Sequence, residues 1–330
     1  MRLAITLGDP GGIGPEILFH YLKNQINTIK KLKIKPVIFG TSVLLEQPYL
    51  KQFINPLKIH VISGKDLDQI AEYADNTGIL FVDCSDLKPD FTIGKPDAAN
   101  GWASFQYLEI AVDSIKKGLA AALVTAPICK ESFQLAGLKY QDHTSYLQEK
   151  TESANVSMGF WTKNLKTVLV TIHKSLREVP DLINEETLTA AIENTFLFAK
   201  LLKIEQPRIA ISGLNPHAGE NGLFGNEENE IIIPTIKKLG FGLIGPLPPD
   251  TVYFRAVQGE FDFVISLYHD QALIPIKLVA FDSAVNISLG LPFIRTSPDH
   301  GTAFDRAYTK ESSFRSFQNA VELAIKCSQG

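Results

Sequence analysis

Short apolar runs rich in β-branched residues recur along the chain, at Arg2 to Leu7, Pro36 to Phe39, Ile59 to Ile62, Ile79 to Val82, Ala121 to Thr125, Thr167 to Ile172, Arg208 to Ser212 and Phe261 to Leu267. Runs of this length predict strands buried on both faces, as in a parallel sheet flanked by helices. Between several of them lie longer stretches of helical period, Trp102 to Lys117, Glu185 to Leu202 and Glu227 to Leu239, the last closed by Gly240 as a C′ residue. Ser312 to Lys326 reads as a terminal helix that begins near Ser313. The alternation of strand and helix predicts an α/β fold with a largely parallel sheet. No internal repeat or low-complexity linker marks a domain boundary.

With 330 residues and 45% hydrophobic content, the chain can bury the core of one large domain or of two interleaved ones. Thirty-two Lys plus Arg face thirty-six Asp plus Glu, a net charge of −4 without a basic run, which argues against nucleic acid as a partner. Three cysteines, Cys84, Cys129 and Cys327, lie too far apart for a CxxC site and are odd in number, so a reducing compartment is expected. The start has one Arg and then an apolar run broken by Gly8, Asp9 and Pro10, unlike a signal peptide, and no stretch approaches eighteen apolar residues. The expectation is a cytoplasmic protein with no membrane partner.

The first strand runs into Gly8-Asp9-Pro10-Gly11-Gly12-Ile13-Gly14-Pro15-Glu16, a glycine-rich turn at a helix N-terminus. Such a turn lets backbone approach an anion or simply packs strand on helix, and the residues leave both readings open. Ile17 stands at the third glycine position and no Lys-Ser/Thr follows, so neither a Rossmann nor a P-loop fingerprint is present. His173, His217 and His269 each follow a predicted strand, with Glu220 and Asp270 close behind. Carboxyl ends of strands in an open α/β sheet face the ligand crevice, so three imidazoles there point to an open catalytic metal site. In Asp142-His143-Thr144, Thr144 suits a helix N-cap, which serves either as a plain cap or as part of an anion site. The segment Asn286 to Ala303, dense in polar groups, Gly and Pro, reads as a binding loop that includes Arg295, and Lys277 sits in apolar company.

Together these motifs resemble the 4-hydroxythreonine-4-phosphate dehydrogenases of pyridoxal-phosphate biosynthesis over nearly the whole chain. The resemblance rests on TLGDPGGIGPE from Thr6, DHT at 142, TxHxxLRxV from Thr171, GLNPHAGE from Gly213 with Gly225, Glu227 and Glu228 after it, GPLPPDT from Gly245, YHDQ from Tyr268, and RTSPDHGTAFD from Arg295. It implies a fold similar to isocitrate and isopropylmalate dehydrogenases: two α/β domains with a cleft between them, residues 1–128 with 285–330 on the cofactor side and 129–284 with the metal ligands and dimer interface. It further implies a homodimer in which His173 and His217 of one subunit and His269 of the other bind one divalent metal, Zn, Mg, Co or Mn. His143 and Thr144 would hold the substrate's phosphate end, and Lys277, Asn286 and Arg295 would contact substrate, with Asp250 and Asp270 near the metal. The loop Asp299-His300-Gly301-Thr302, with Gly12 and Gly14, would bind NAD or NADP without a Rossmann fingerprint.

The reaction implied is oxidation of 4-phosphooxy-L-threonine at C3 by hydride transfer to the nicotinamide, with the metal as Lewis acid, then decarboxylation to 3-amino-2-oxopropyl phosphate. Lys277 or a nearby Asp would relay the proton. Alternatives are a family dehydrogenase for another phosphorylated hydroxy acid, such as a phosphothreonate or phosphoerythronate, or for a cyclic diol acid. From another class comes a non-catalytic, metal-dependent sugar-phosphate binding protein. The chain departs from the family at Asp142, where Gly is usual, at Ser145, where Glu is usual, and at Ser175, often Pro.

Overall fold

The computed structural model describes residues 1–73, 78–240, 242–309 and 311–329. Its strands in chain order are β1 (Arg2–Thr6), β2 (Lys35–Gly40), β3 (Ile59–Ser63), β4 (Ile79–Asp83), β5 (Ala122–Thr125), β6 (Ser157–Trp161), β7 (Lys166–Leu169), β8 (Ile209–Ser212), β9 (Leu243–Leu247), β10 (Phe263–Ser266), β11 (Val285–Leu289) and β12 (Ile294–Pro298). The chain divides into two compact units, Met1–Thr151 with Phe293–Ser328 and Glu152–Pro292 with Gln329–Gly330. The helices Lys130–Leu135 and His143–Thr151 thus belong to the first unit, whereas the sequence assigned everything from 129 to 284 to the central one.

In the first unit the strands lie in the order β3-β4-β2-β1-β5-β12, and their pairings are parallel. Parallel strands need crossover connections, and the helices Gly14–Lys31 and Ala98–Lys116 supply two of them. Ala98–Lys116 starts where Asp97 accepts hydrogen bonds from the backbone N–H groups of Ala99 and Asn100, a cap that contributes about 1 kcal/mol. Continuous apolar runs such as Leu3-Ala4-Ile5 and Val37-Ile38-Phe39 are buried, as a sheet covered on both faces requires.

In the second unit the order is β11-β6-β7-β10-β8-β9. Here β7, β10, β8 and β9 run parallel, while β6 is antiparallel to both β7 and β11. The core joins Phe160, Leu169, Val264, Leu273 and Ile276. The helix Glu185–Leu201 opens with a reciprocal capping box between Asn184 and Thr187, and Gly240 closes Ile233–Leu239 at φ +88°.

Two expectations need correction. The polar segment after Asn286 is not one loop: Asn286 lies within β11 and Arg295 within β12. The polar side chains of these two strands, Asn286, Ser288, Arg295, Thr296 and Ser297, are buried, and a partner such as the Ala320 carbonyl, to which Thr296 Oγ1 donates at 2.8 Å, lies beyond a local reading. The terminal helix begins at Arg315, two residues later than expected. Among the described residues no helix is long and apolar enough to cross a membrane.

Candidate functional site

The histidines of the second unit follow the carboxyl ends of parallel strands. His173 comes four residues after β7, His217 five after β8 and His269 three after β10, and Asp250 follows β9 in the same way. The rings of His173 and His269 lie 5.3 Å apart, centroid to centroid. His269 Nδ1 is 2.8 Å from Asp270 Oδ1. A carboxylate only accepts, so Nδ1 carries the proton and the Nε2 lone pair stays available as a donor to a cation. His217 stands with Phe224, ring centroids 6.3 Å apart, and among the described residues no group of three His, Cys, Asp or Glu side chains converges within one chain.

The backbone here is strained. His173 has φ +49°, and His217, Ala218, Gly219, Glu220 and Asn221 form a left-handed turn with φ between +44° and +81°. Each non-glycine residue in that region costs about 1 kcal/mol or more, so neighbours must hold the turn. Glu228 does this from full burial: its Oε1 accepts from Leu214 N and Asn215 N, both at 2.8 Å, and its Oε2 accepts from Asn215 Nδ2 at 2.9 Å. A Cβ on Gly219 would come within 2.8 Å of Glu228 Oε2, so glycine is required there. Gln271 ties two of the histidine loops together, accepting from Leu267 N at 2.7 Å and donating to the Gly213 carbonyl at 2.8 Å. Sequence reasoning gave no role to either residue. Gln271 adjoins the His269-Asp270 pair, a usable signal, whereas Glu228 carries no local one.

A surface cleft of about 640 Å³ within this unit is lined by His269, Asp270, Asp250, Tyr253, Ile274 and Leu278, among others. Lys277 is half-buried, its Nζ 5.6 Å from the Phe281 ring centroid. The helix His269–Ala280 sets it about 12 Å from His269 along the axis. Asn286 is buried in β11, opposite Phe160 in the register.

In the first unit His143 opens the helix His143–Thr151 and is buried rather than exposed. Its Nε2 has no hydrogen-bond partner among the described residues. Burial, then the nearby Arg295 guanidinium, holds its pKa well below the usual 6.5, so it is neutral at pH 7. Arg295 is buried too and donates from Nη2 to Thr125 Oγ1 at 2.7 Å. The expected cap at Thr144 is corrected: Asp142 caps this helix, its Oδ1 accepting from Ser145 N at 2.9 Å while Ser145 Oγ accepts from Asp142 N at 3.3 Å. Asp142 and Ser145 thereby form a reciprocal box, and Thr144 sits half-buried inside the first turn.

The glycine-rich turn and the loop after β12 meet. Ile13 N donates to the Thr302 carbonyl at 2.9 Å, and a Cβ on Gly12 would come within 2.9 Å of Thr302 Cβ. Gly14 likewise packs on the Leu7 carbonyl. Asp299 N donates to Ser316 Oγ, His300 bends onto the Gly301 carbonyl, and Gly301 itself has open space where a side chain would be.

An α/β fold with imidazoles after its strand ends and a buried arginine beside a buried histidine defines a class of small-molecule enzymes, and the same fold occurs in a solved 4-hydroxythreonine-4-phosphate dehydrogenase from Klebsiella pneumoniae. That structure has a TM-score of 0.84 and 36% identity and is matched over 98% of its length and 100% of this chain. The model for the family "Pyridoxal phosphate biosynthetic protein PdxA" matches residues 33–324, and the chain belongs to that family. A 4-hydroxythreonine-4-phosphate dehydrogenase from Desulfosudis oleivorans is 40% identical over 98% of this chain and 95% of its own. A D-threonate 4-phosphate dehydrogenase from Salmonella typhimurium is 38% identical over 98% of both.

Proposed function

We propose that the protein is an NAD- or NADP-dependent oxidoreductase that oxidises 4-phosphooxy-L-threonine at C3, with decarboxylation to 3-amino-2-oxopropyl phosphate. The observation that carries this reading is the set of three histidines after parallel strands, with His269 oriented by Asp270. The donor chemistry fits a divalent cation: His173, His217 and His269 would hold it through neutral nitrogens, His269 coming from a second copy of the chain. When bound, the metal supplies Lewis-acid stabilisation of charge on the substrate oxygen, and the nicotinamide supplies the electron acceptor. Gly12, Gly14 and the loop Asp299-His300-Gly301-Thr302 would receive the cofactor where Gly301 leaves room beside the backbone.

The chain's own residues do the rest. Arg295, His143 and Thr144 bind the phosphate end, where a desolvated guanidinium and the N-terminus of a nine-residue helix favour a doubly charged anion. Asp250 places a carboxylate in the cleft that His269 lines, and the family resemblance adds Lys277 and Asn286 as substrate contacts. A second copy suits the exposed apolar face of Ile274, Leu278 and Phe281, next to His269 and 68–85% exposed. D-threonate 4-phosphate is the second candidate substrate, since a relative of similar identity carries that name.

The test is reduction of NAD+ and NADP+ with each of the two phosphorylated substrates, before and after chelation and on adding back Zn, Co, Mn or Mg. Turnover restored by metal supports the reading, whereas full turnover after exhaustive chelation overturns the metal assignment. Mixing inactive His173→Ala and His269→Ala chains should return activity if the site is shared, because a hybrid dimer keeps one complete set of ligands.

A further inference from the structure

We propose that Thr125 is the positioning residue for Arg295, its hydroxyl fixing the guanidinium that meets the substrate's anionic end. The proposal rests on the reading of Arg295 as a substrate contact. Strands β5 and β12 pair in parallel, with Arg295 beside Leu123 and Thr296 beside Val124. Side chains alternate along a strand, so Arg295 shares a face with Leu123 and Thr125, while Thr296 turns the other way, to the Ala320 carbonyl of the terminal helix. Register alone therefore brings the arginine over the threonine, and the hydrogen bond of 2.7 Å closes the arrangement.

Both side chains are buried, Arg295 at 4% exposure and Thr125 at 0%. A guanidinium taken from water needs fixed acceptors for its N–H groups, and an arginine without one has several rotamers to choose from. Burial pushes the Arg295 pKa down to about 10, and the Asp142 carboxylate pushes it back up, so the group stays charged at pH 7 but is poorly solvated. The Thr125 hydroxyl supplies a neutral acceptor that selects one rotamer without cancelling the charge that the anion must meet. Thr6 provides an internal contrast. It is the register partner of Thr125 on β1, equally buried, and its hydroxyl has no hydrogen-bond partner among the described residues. A hydroxyl in this layer is thus not sufficient to position Arg295; the one on Thr125 has the geometry.

The experiment uses the full chain with Thr125→Val, Thr125→Ala, Thr125→Ser, Thr6→Val and Arg295→Met. Thermal melting identifies folded variants, and Thr125→Ala carries the test if Thr125→Val does not fold. Two quantities are read: KM against kcat with 4-phosphooxy-L-threonine, and the Kd of inorganic phosphate by calorimetry, which needs no turnover. Thr125→Val should raise both KM and the phosphate Kd about tenfold, the scale of one hydrogen bond to a charged group, with kcat nearly unchanged. Thr125→Ser should restore both values and Thr6→Val should leave both at wild type. If Arg295→Met weakens binding but folded Thr125 variants do not, or if Thr125→Ser is as weak as Thr125→Val, the positioning role is overturned and the substrate reading stands. If Arg295→Met leaves KM and phosphate affinity unchanged, the substrate reading of Arg295 falls and takes this proposal with it.

Discussion

The two units hold their candidate groups by opposite means. In the first, His143, Arg295 and Thr125 are buried on or beside regular elements, and what is spent there is desolvation. In the second, His173 and His217 are exposed, and what is spent is backbone strain in the left-handed region. A buried cation suits a ligand that arrives with its own charge, because little water reaches so deeply buried a group to compete with it. Exposed imidazoles on strained turns suit a group that bonds several loops at once and holds their geometry. The first unit should therefore respond mainly to charge, and the second to the removal of its braces.

The largest effect expected is on the braces. Glu228→Ala leaves the part-buried N–H groups of Leu214 and Asn215 and the Asn215 amide without that acceptor, which should cost about 3 kcal/mol in stability. It should also lower turnover by at least about a hundredfold, since the left-handed turn that carries His217 loses its hold. Denaturant melts and steady-state rates check both, and a variant with wild-type turnover would show that the turn holds itself. Gln271→Ala comes next, at about 2 kcal/mol, because it removes bonds to both Leu267 N and the Gly213 carbonyl. If instead Gln271→Ala loses more stability than Glu228→Ala, the hold on the histidine loops lies mainly in the Gln271 bridge.

The first unit should show its difference in pH. His143 is a base whose folded pKa lies below 6.5, so the unfolded chain takes up a proton first as the solution is acidified. Its contribution is intact above pH 6.5 and is lost as pH falls below it, at up to about 1.4 kcal/mol per pH unit. Asp9 acts in the opposite sense. Burial raises its carboxyl from 3.8 to about 6, so the folded chain holds that proton better and stability declines as pH rises from about 4 to about 6. The two slopes oppose each other near pH 6, so the His143 contribution is read by difference: on acidification below pH 6.5 the wild type should lose stability relative to His143→Gln. An unchanged pH dependence in that variant would remove the buried neutral imidazole from this account.

The sequence carried the strand ends well and the supports poorly. His173, His217 and His269 could be placed after strands because Thr167 to Ile172, Arg208 to Ser212 and Phe261 to Leu267 each hold three consecutive apolar residues, Val168 to Val170, Ile209 to Ile211 and Phe263 to Ile265. Arg295 and Asn286 were read as loop residues because buried polar side chains in β11 and β12 break the apolar pattern that marks a strand. Their partners lie far away in sequence, 170 residues for Arg295 and Thr125, beyond the reach of any local period. Glu228 was invisible as a brace for the same reason, its value arising only where a left-handed turn needs acceptors. The cap at Asp142 was legible in principle. An acidic residue three before a serine is a capping signature, but Thr144 offered the same chemistry two residues later.

Asp142 gives the smallest expected effect and the finest test of the comparison. Its carboxylate does two things at once: it caps the helix His143–Thr151 through Ser145 N, and it attracts the Arg295 guanidinium. Asp142→Asn keeps a capping oxygen and removes the charge, whereas Asp142→Gly removes both. Stability should change by only a few tenths of a kcal/mol in either variant, since Asn and Gly are both tolerated at an N-cap. Affinity should change more. With the Asp142 carboxylate gone, the proposed attraction of Arg295 for the phosphate faces one competitor fewer, and KM for the phosphorylated substrate should fall by roughly threefold in both variants. The gain should shrink at high salt if Asp142 acts through solvent, and persist if the pair is shielded by protein. A KM unchanged in Asp142→Asn would mean that the carboxylate serves the helix alone.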